Sequence, residues 1–281
     1  MTDIFTSLRD RGWQGKALAL RMGCVGDGKI RRVTRYKSTD QSAIEAQCDL
    51  LQASGFAGVV HIWNGPAIPF VDDAMMRFWA ECQSRGLSFA IMLDQWIAKG
   101  QANPTQAVID ALTSAQFQRL LASDSYLPEK YLLEFNLNAA AAVNVAAVQA
   151  AVPSVKILSE NSGYGWVQSD VTNLARINSS PNMKMPGLCL YFNDGGYPLP
   201  NGVSSGASFT KRDWGQSVWG KRSNGDSSTR VTEHQAGNWL ADQMAVTPIS
   251  ASYILFATLD DHEEGTGIEH FLSLFTGRAI R

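Results

Sequence analysis

Short apolar runs alternate with amphipathic stretches along most of the chain, the pattern expected when helices return the chain to the same edge of a parallel sheet. The clearest unit opens at Thr39 and Asp40, continues as AIEAQCDLLQAS with helical spacing, stops at Gly55 and enters the strand-like AGVVHIW. Ser42 followed by Glu45 has the spacing of a capping box, and Gly55 suits the left-handed turn that closes a helix. The next unit follows the same logic: DDAMMRFWAECQSR predicts a helix, Gly86 ends it, and LSFAIMLD predicts a buried strand. Further strands are expected at ALALRM (17–22), KYLLEF (130–135), VKIL (155–158), GLCLYF (187–192) and SYILFATL (252–259). Helices are expected at about 105–122, 139–151, 168–178 and 232–245.

That makes seven strands, and an eighth is assigned to the Gly-, Ser- and Trp-rich stretch 195–230, near GQSVWG. A long irregular segment of this kind inside a compact domain is more often a lid or binding loop than a linker. The expected fold is α/β: one compact (β/α)8 TIM barrel filling residues 1–281 as a single domain, with a long irregular loop region at 195–230.

Composition narrows the chemistry. Hydrophobic residues make up 45% and charged residues 18% of the 281 positions, as in an ordinary globular protein with a sizeable core. The net charge of −2 provides no field for nucleic acid or an anionic membrane, so a neutral substrate fits best. Lys29, Arg31, Arg32, Arg35 and Lys37 form a local basic cluster, read as a solvated loop. Cysteines 24, 48, 82 and 189 show no CxxC spacing, so neither a zinc knuckle nor a disulfide framework is indicated. No 18-residue apolar stretch predicts a membrane span, and MTDIFTSLRDRGW lacks the features of a signal peptide, so a cytoplasmic product is expected.

In a barrel of this type the reactive groups stand at the carboxyl ends of the strands. Residues just after the apolar runs are Arg21; His61, Trp63 and Asn64; Asp94 and Trp96; Glu134 and Asn136; Glu160 and Asn161; Tyr191, Asn193 and Asp194; and Asp260 to Glu264. Carboxylates, amides and aromatic rings at one mouth are what a sugar requires, because hydroxyls need polar partners and pyranose faces need flat apolar platforms. Of the eight tryptophans, Trp63, Trp96, Trp166 and Trp219 fall after strands or in loops. His61 reads as a neutral, hydrogen-bonded side chain at a strand end, with a catalytic or ligand role as the sharper alternative. Asp94 and Glu134 follow buried runs where an unpaired charge is costly, so each needs a partner, either a structural one such as Arg21 or the substrate.

The segment ATLDDHEEGTGIEHF places five acidic residues and two histidines directly after the last strand. Like charges this close raise some of each other's proton affinities, so that one carboxyl can serve as a general acid beside an ionised neighbour. Here the sequence resembles the glycoside hydrolase family 99 and family 71 group, whose last strand ends in a motif of the form N-E-W-x-E-G-T-x-I-E. The matching stretch runs from Asp260 to Glu269, and Glu264 to Glu269 agree throughout. GFAGVVHIWNGP (55–66) bears a weaker likeness to the family's W-G-P turn.

The resemblance implies an endo-acting, retaining glycosidase that needs no cofactor. It assigns Glu264 as the acid/base, and Asp261 as the group that deprotonates the substrate's 2-hydroxyl for attack on the anomeric carbon. Asp260 and His262, with His61, Trp63, Asn64, Asp94, Trp96, Glu134, Asn136, Tyr191 and Asn193, are expected to contact substrate. Asp260 replaces Asn, Asp261 replaces Glu and His262 replaces Trp, so substrate and mechanism are open to change. If Asp261 acts directly, carboxyls about 5 to 5.5 Å apart favour retention and about 6.5 to 9.5 Å inversion.

Two other function classes compete. One is a carbohydrate-binding or structural barrel without turnover, in a phage particle or a polysaccharide-assembly system. The other is a metal-dependent hydrolase using Asp260, Asp261, His262, Glu264 and His270, although no H-x-H or H-E-x-x-H spacing supports it.

Overall fold

The computed structural model of the chain describes residues 3–23, 36–160, 162–165, 171–189, 216–217, 231–232, 243–260 and 272. After a short helix α1 (Thr6–Asp10), the chain alternates strand and helix. The order is β1 (Lys16–Arg21), α2 (Gln41–Ala53), β2 (Gly58–Trp63), α3 (Pro69–Arg85) and β3 (Ser88–Asp94), then a 3₁₀ turn (Gln95–Ile97), α4 (Pro104–Thr113) and α5 (Ala115–Ala122). It continues with β4 (Tyr131–Phe135), α6 (Leu137–Ala141), α7 (Val145–Ala151), β5 (Lys156–Ser159), α8 (Val171–Asn178) and β6 (Gly187–Cys189). The short strands β7 (Gln216–Ser217) and β8 (Val231–Thr232) precede β9 (Tyr253–Ala257).

Seven strands form one sheet in the order β5-β4-β3-β2-β1-β9-β6, and every pairing in it is parallel. β1, β2 and β9 are buried nearly from end to end, as expected of strands covered on both faces, which explains why they read as unbroken apolar runs. The sheet is curled into a half-barrel. Tyr131 of β4 and Tyr253 of β9 meet edge to face with ring centroids 6.1 Å apart, although three strands lie between them in the sheet. A flat sheet would hold those two strands about 19 Å apart.

All seven parallel strands appear where the apolar runs predict them, whereas the helices and their caps differ in detail. The stretch expected as one helix over 105–122 is two, because Ser114 leaves helical geometry and its hydroxyl accepts from Phe117 N to start α5. The helix expected over 139–151 is likewise divided: Ala142 turns left-handed after α6, and Asn144 caps α7 by accepting from Ala147 N. No capping box forms at Ser42; α2 starts one residue earlier, after Asp40, whose carboxylate accepts from Lys37 N. Gly86 ends α3 in the left-handed conformation, as its position predicts.

The eighth parallel strand expected near GQSVWG is not formed by that segment's described residues. Gln216 and Ser217 pair antiparallel with β8, apart from the main sheet. Between β5 and β6, Tyr164 instead makes single parallel bridges to Glu160 on one side and to Met185 on the other. Gly165 and Gly187 approach so closely there that a β-carbon on either would run into the other's backbone. Cys48 of α2 and Cys82 of α3 are buried free thiols, acting as small apolar groups where the two helices pack.

Candidate active site at the carboxyl edge of the sheet

β3, β4 and β5 deliver three carboxylates to the same edge. Asp94, the last residue of β3, is nearly buried, and its Oδ1 accepts from Trp96 N at 2.9 Å, tying it to the 3₁₀ turn that follows. Burial pushes its proton affinity up, and the Trp96 N–H and the Lys99 ammonium only partly offset this. Glu134 of β4 is equally buried; Oε2 accepts from Leu137 N at 3.3 Å. Its proton affinity is also raised by burial, against the hydrogen bonds from the Ser159 side chain and Leu137.

Tyr164 brings these groups into one neighbourhood. Its hydroxyl donates to the Glu134 carbonyl at 2.9 Å. Burial, then the charges of Glu160, Glu134 and Asp94 in that order, raise its pKa. One phenol therefore senses carboxylates from three successive strand ends. Sequence reasoning missed Tyr164, which belongs to no apolar run; its signal is the flanking Gly163 and Gly165, where the chain passes close to β6.

Beside this group the Trp96 ring is 51% exposed, with the Lys99 ammonium 4.2 Å from its centroid. An exposed indole next to a buried carboxylate can stack a sugar face while the carboxylate takes a hydroxyl. Asn136 follows β4 as an exposed residue in the left-handed conformation, and Asn64 follows β2 almost fully buried.

The ends of β1, β2 and β9 are arranged differently. Arg21 is fully buried: Nε donates to Gln47 Oε1 at 3.0 Å and Nη2 to the Ser38 carbonyl at 2.9 Å, with the guanidinium 4.2 Å above the Phe78 ring. Nη1 donates to His61 Nε2 at 2.7 Å, while His61 Nδ1 donates to the Ile62 carbonyl, also at 2.7 Å. Both imidazole nitrogens are thus engaged inside the protein. Burial, reinforced by the Arg21 charge, holds the His61 pKa well below its ordinary value, so the ring is neutral.

Trp63 is also fully buried, in the layer between sheet and helices. Its ring stacks on Phe117 of α5 at 5.8 Å and its Nε1 donates to Asp72 of α3 at 3.0 Å. Asp260 is buried, Oδ1 accepting from Met22 N at 2.7 Å and Oδ2 from Gly23 N at 3.3 Å, with Arg21 Nε 3.9 Å from Oδ2. Of the two kinds of partner open to Asp94 and Glu134, the structural example, Arg21, pairs with Asp260 instead. β1 and β9 are direct neighbours, whereas β3 and β4 lie further round the sheet.

Glu264 and Asp261, expected as the catalytic pair, lie outside the described residues, as do His262, Tyr191 and Asn193. Among the described residues no group of three His, Cys, Asp or Glu side chains is placed to hold a metal ion, and no helix is long and apolar enough to cross a membrane.

No protein-family model and no curated protein matches the chain. Solved structures do. A family 99 endo-α-mannosidase from Bacteroides thetaiotaomicron, in complex with bis-tris propane, superposes with a TM-score of 0.61 at 10% identity, over 90% of this chain and 86% of that one. A second structure of an endo-α-mannosidase of that family and organism gives 0.59 at 11% identity, over 90% and 87%. A glycoside hydrolase-like protein gives 0.56 at 10% identity, over 94% and 93%. At these identities the likeness is one of fold: the chain has a glycoside-hydrolase-like α/β architecture, similar to that of the family 99 endo-α-mannosidases.

Proposed function

We propose that this protein is a glycoside hydrolase that cuts internal bonds of a poly- or oligosaccharide on a closed (β/α)8 barrel. The observation that carries the reading is that the adjacent parallel strands β3, β4 and β5 end in Asp94, Glu134 and Glu160, with Tyr164 bonded to the Glu134 carbonyl and bridged to Glu160, at the carboxyl edge of a sheet whose last strand leads into Asp260–Glu264. The bridges of Tyr164 to Glu160 and Met185 support closure, and in a closed barrel Gly163 to Gly165 would take the position of the sixth strand.

In this reading Glu264 protonates the leaving glycosidic oxygen, and Asp261 deprotonates the neighbouring 2-hydroxyl so that it attacks the anomeric carbon, giving retention after water opens the intermediate. Asp94 and Glu134 accept hydrogen bonds from sugar hydroxyls, and Trp96 stacks against a pyranose face. Such bonds strengthen as positive charge develops on the sugar, which is where binding energy lowers the barrier.

The test is release of reducing ends from a panel of α-mannans and bacterial capsular and cell-wall polysaccharides. Glu264→Gln is expected to abolish release while the thermal midpoint stays at the wild-type value; undiminished activity removes Glu264 as the acid. A non-catalytic carbohydrate-binding barrel is favoured by Asp261 standing where the family pattern has Glu. Oligosaccharide binding without hydrolysis, unaltered by Glu264→Gln, would select it.

A further inference from the structure

The geometry points to Asp260 as a positioning residue that fixes the chain where β9 hands over to the acidic stretch, and not as a contact for the sugar. This rests on the glycosidase reading above. Both carboxylate oxygens are turned into the protein: Oδ1 accepts from Met22 N and Oδ2 from Gly23 N, the two residues directly after β1. The counter-charge is Arg21, with Nε 3.9 Å from Oδ2 and both side chains without solvent exposure.

Arg21 is itself held on every side. Gln47 of α2, His61 of β2 and the Ser38 carbonyl take its donors, and Phe78 of α3 covers its face. Gly23 packs against the His61 ring so closely that a β-carbon there would collide with it. The anchor therefore spans three adjacent strands, β9, β1 and β2, and two helices that back them. In the folded chain a carboxylate so buried and so fully hydrogen-bonded holds residue 260 against the end of β1. Asp261 is the next residue and Glu264 lies three further on, so the fixed point sits at the root of the proposed catalytic pair. Small displacements of reacting groups are costly, about 100-fold in rate for roughly 1 Å.

The test uses the full chain with Asp260→Asn, which keeps an acceptor oxygen but loses the charge, and Asp260→Glu, which keeps the counter-charge for Arg21 but adds a methylene. Each is assayed for kcat and KM on the polysaccharide that the wild type cuts, with amide hydrogen exchange read at Met22 and Gly23. The expected result is faster exchange at both amides and kcat reduced by about 100-fold, with KM within about threefold, in variants that remain folded. Wild-type kcat despite deprotected amides overturns the proposal, as does a raised KM at full kcat, which makes Asp260 a sugar contact. If the wild type cuts nothing on the panel, the glycosidase reading fails and the catalytic role of the anchor falls with it. In that case retained protection at Met22 and Gly23 in both variants would show that no anchor exists either.

Discussion

At the end of β2 a single histidine shows how burial decides chemistry. His61 stays neutral because it is buried beside Arg21, while in the unfolded chain it takes up a proton near its ordinary value of 6.5. As pH falls below about 6.5 the unfolded state binds the extra proton first, so the folded state loses stability. Urea denaturation between pH 7.5 and 5 should show this loss in the wild type and a flatter profile in His61→Gln; identical slopes would remove His61 as the source.

Asp94 and Glu134 behave in the opposite sense. Their folded proton affinities are raised by burial, so ionisation costs the folded state as pH rises through and above the ordinary carboxylate range. Asp94→Asn and Glu134→Gln are therefore expected to raise the thermal midpoint at pH 7 but not at pH 4, and to lower glycan turnover by at least roughly 10-fold. A variant that is destabilised at pH 7 would contradict the burial argument.

At the scale of elements, two tryptophans at the ends of adjacent strands have opposite fates. Trp63 ends β2 inside the helix layer, stacked on Phe117 and bonded to Asp72, while Trp96 stands half-exposed on the turn after β3. Trp63→Ala should cost about 3 to 5 kcal/mol in urea denaturation, as truncation of a large buried aromatic does. Trp96→Ala should leave stability within about 0.5 kcal/mol of the wild type. Its effect is expected in KM, raised by about 10-fold on the cleaved glycan. Reversal of this pattern would exchange the two roles. The divided helices carry a related lesson: Ser114 and Asn144 start new helices because their side chains satisfy backbone donors, a local choice that apolar periodicity alone does not register.

For the whole molecule the critical region lies between β5 and β6. Tyr164 bridges both flanks, and Gly165 and Gly187 must pass within backbone contact. Gly187→Val is expected to force these segments apart, lowering stability by about 2 to 4 kcal/mol and opening the chain between β5 and β6 to limited proteolysis. Wild-type stability and an unchanged cleavage pattern would count against a ring joined at this point. The curl that brings Tyr131 against Tyr253 acts at the amino ends of β4 and β9, so the sheet is already bent toward closure below the carboxyl edge.

The sequence by itself determined the alternation of strand and helix, because a strand buried on both faces must be apolar at nearly every position and a helix backing it must repeat its apolar face. It also identified Asp94, Glu134 and Trp96 as strand-end polar and aromatic positions, since a charge directly after a buried run needs a reason. Only the tertiary structure decided which strand-end residues stay open at the carboxyl edge, as Trp96 does, and which are locked in the interior. Arg21, His61 and Asp260 come from β1, β2 and β9, at most 239 positions apart, and become one buried network through strand order and register. Tyr164 gains its place through single bridges that no periodicity encodes. Pairing between distant strands depends on the packing of the whole sheet, and local patterning carries no record of it.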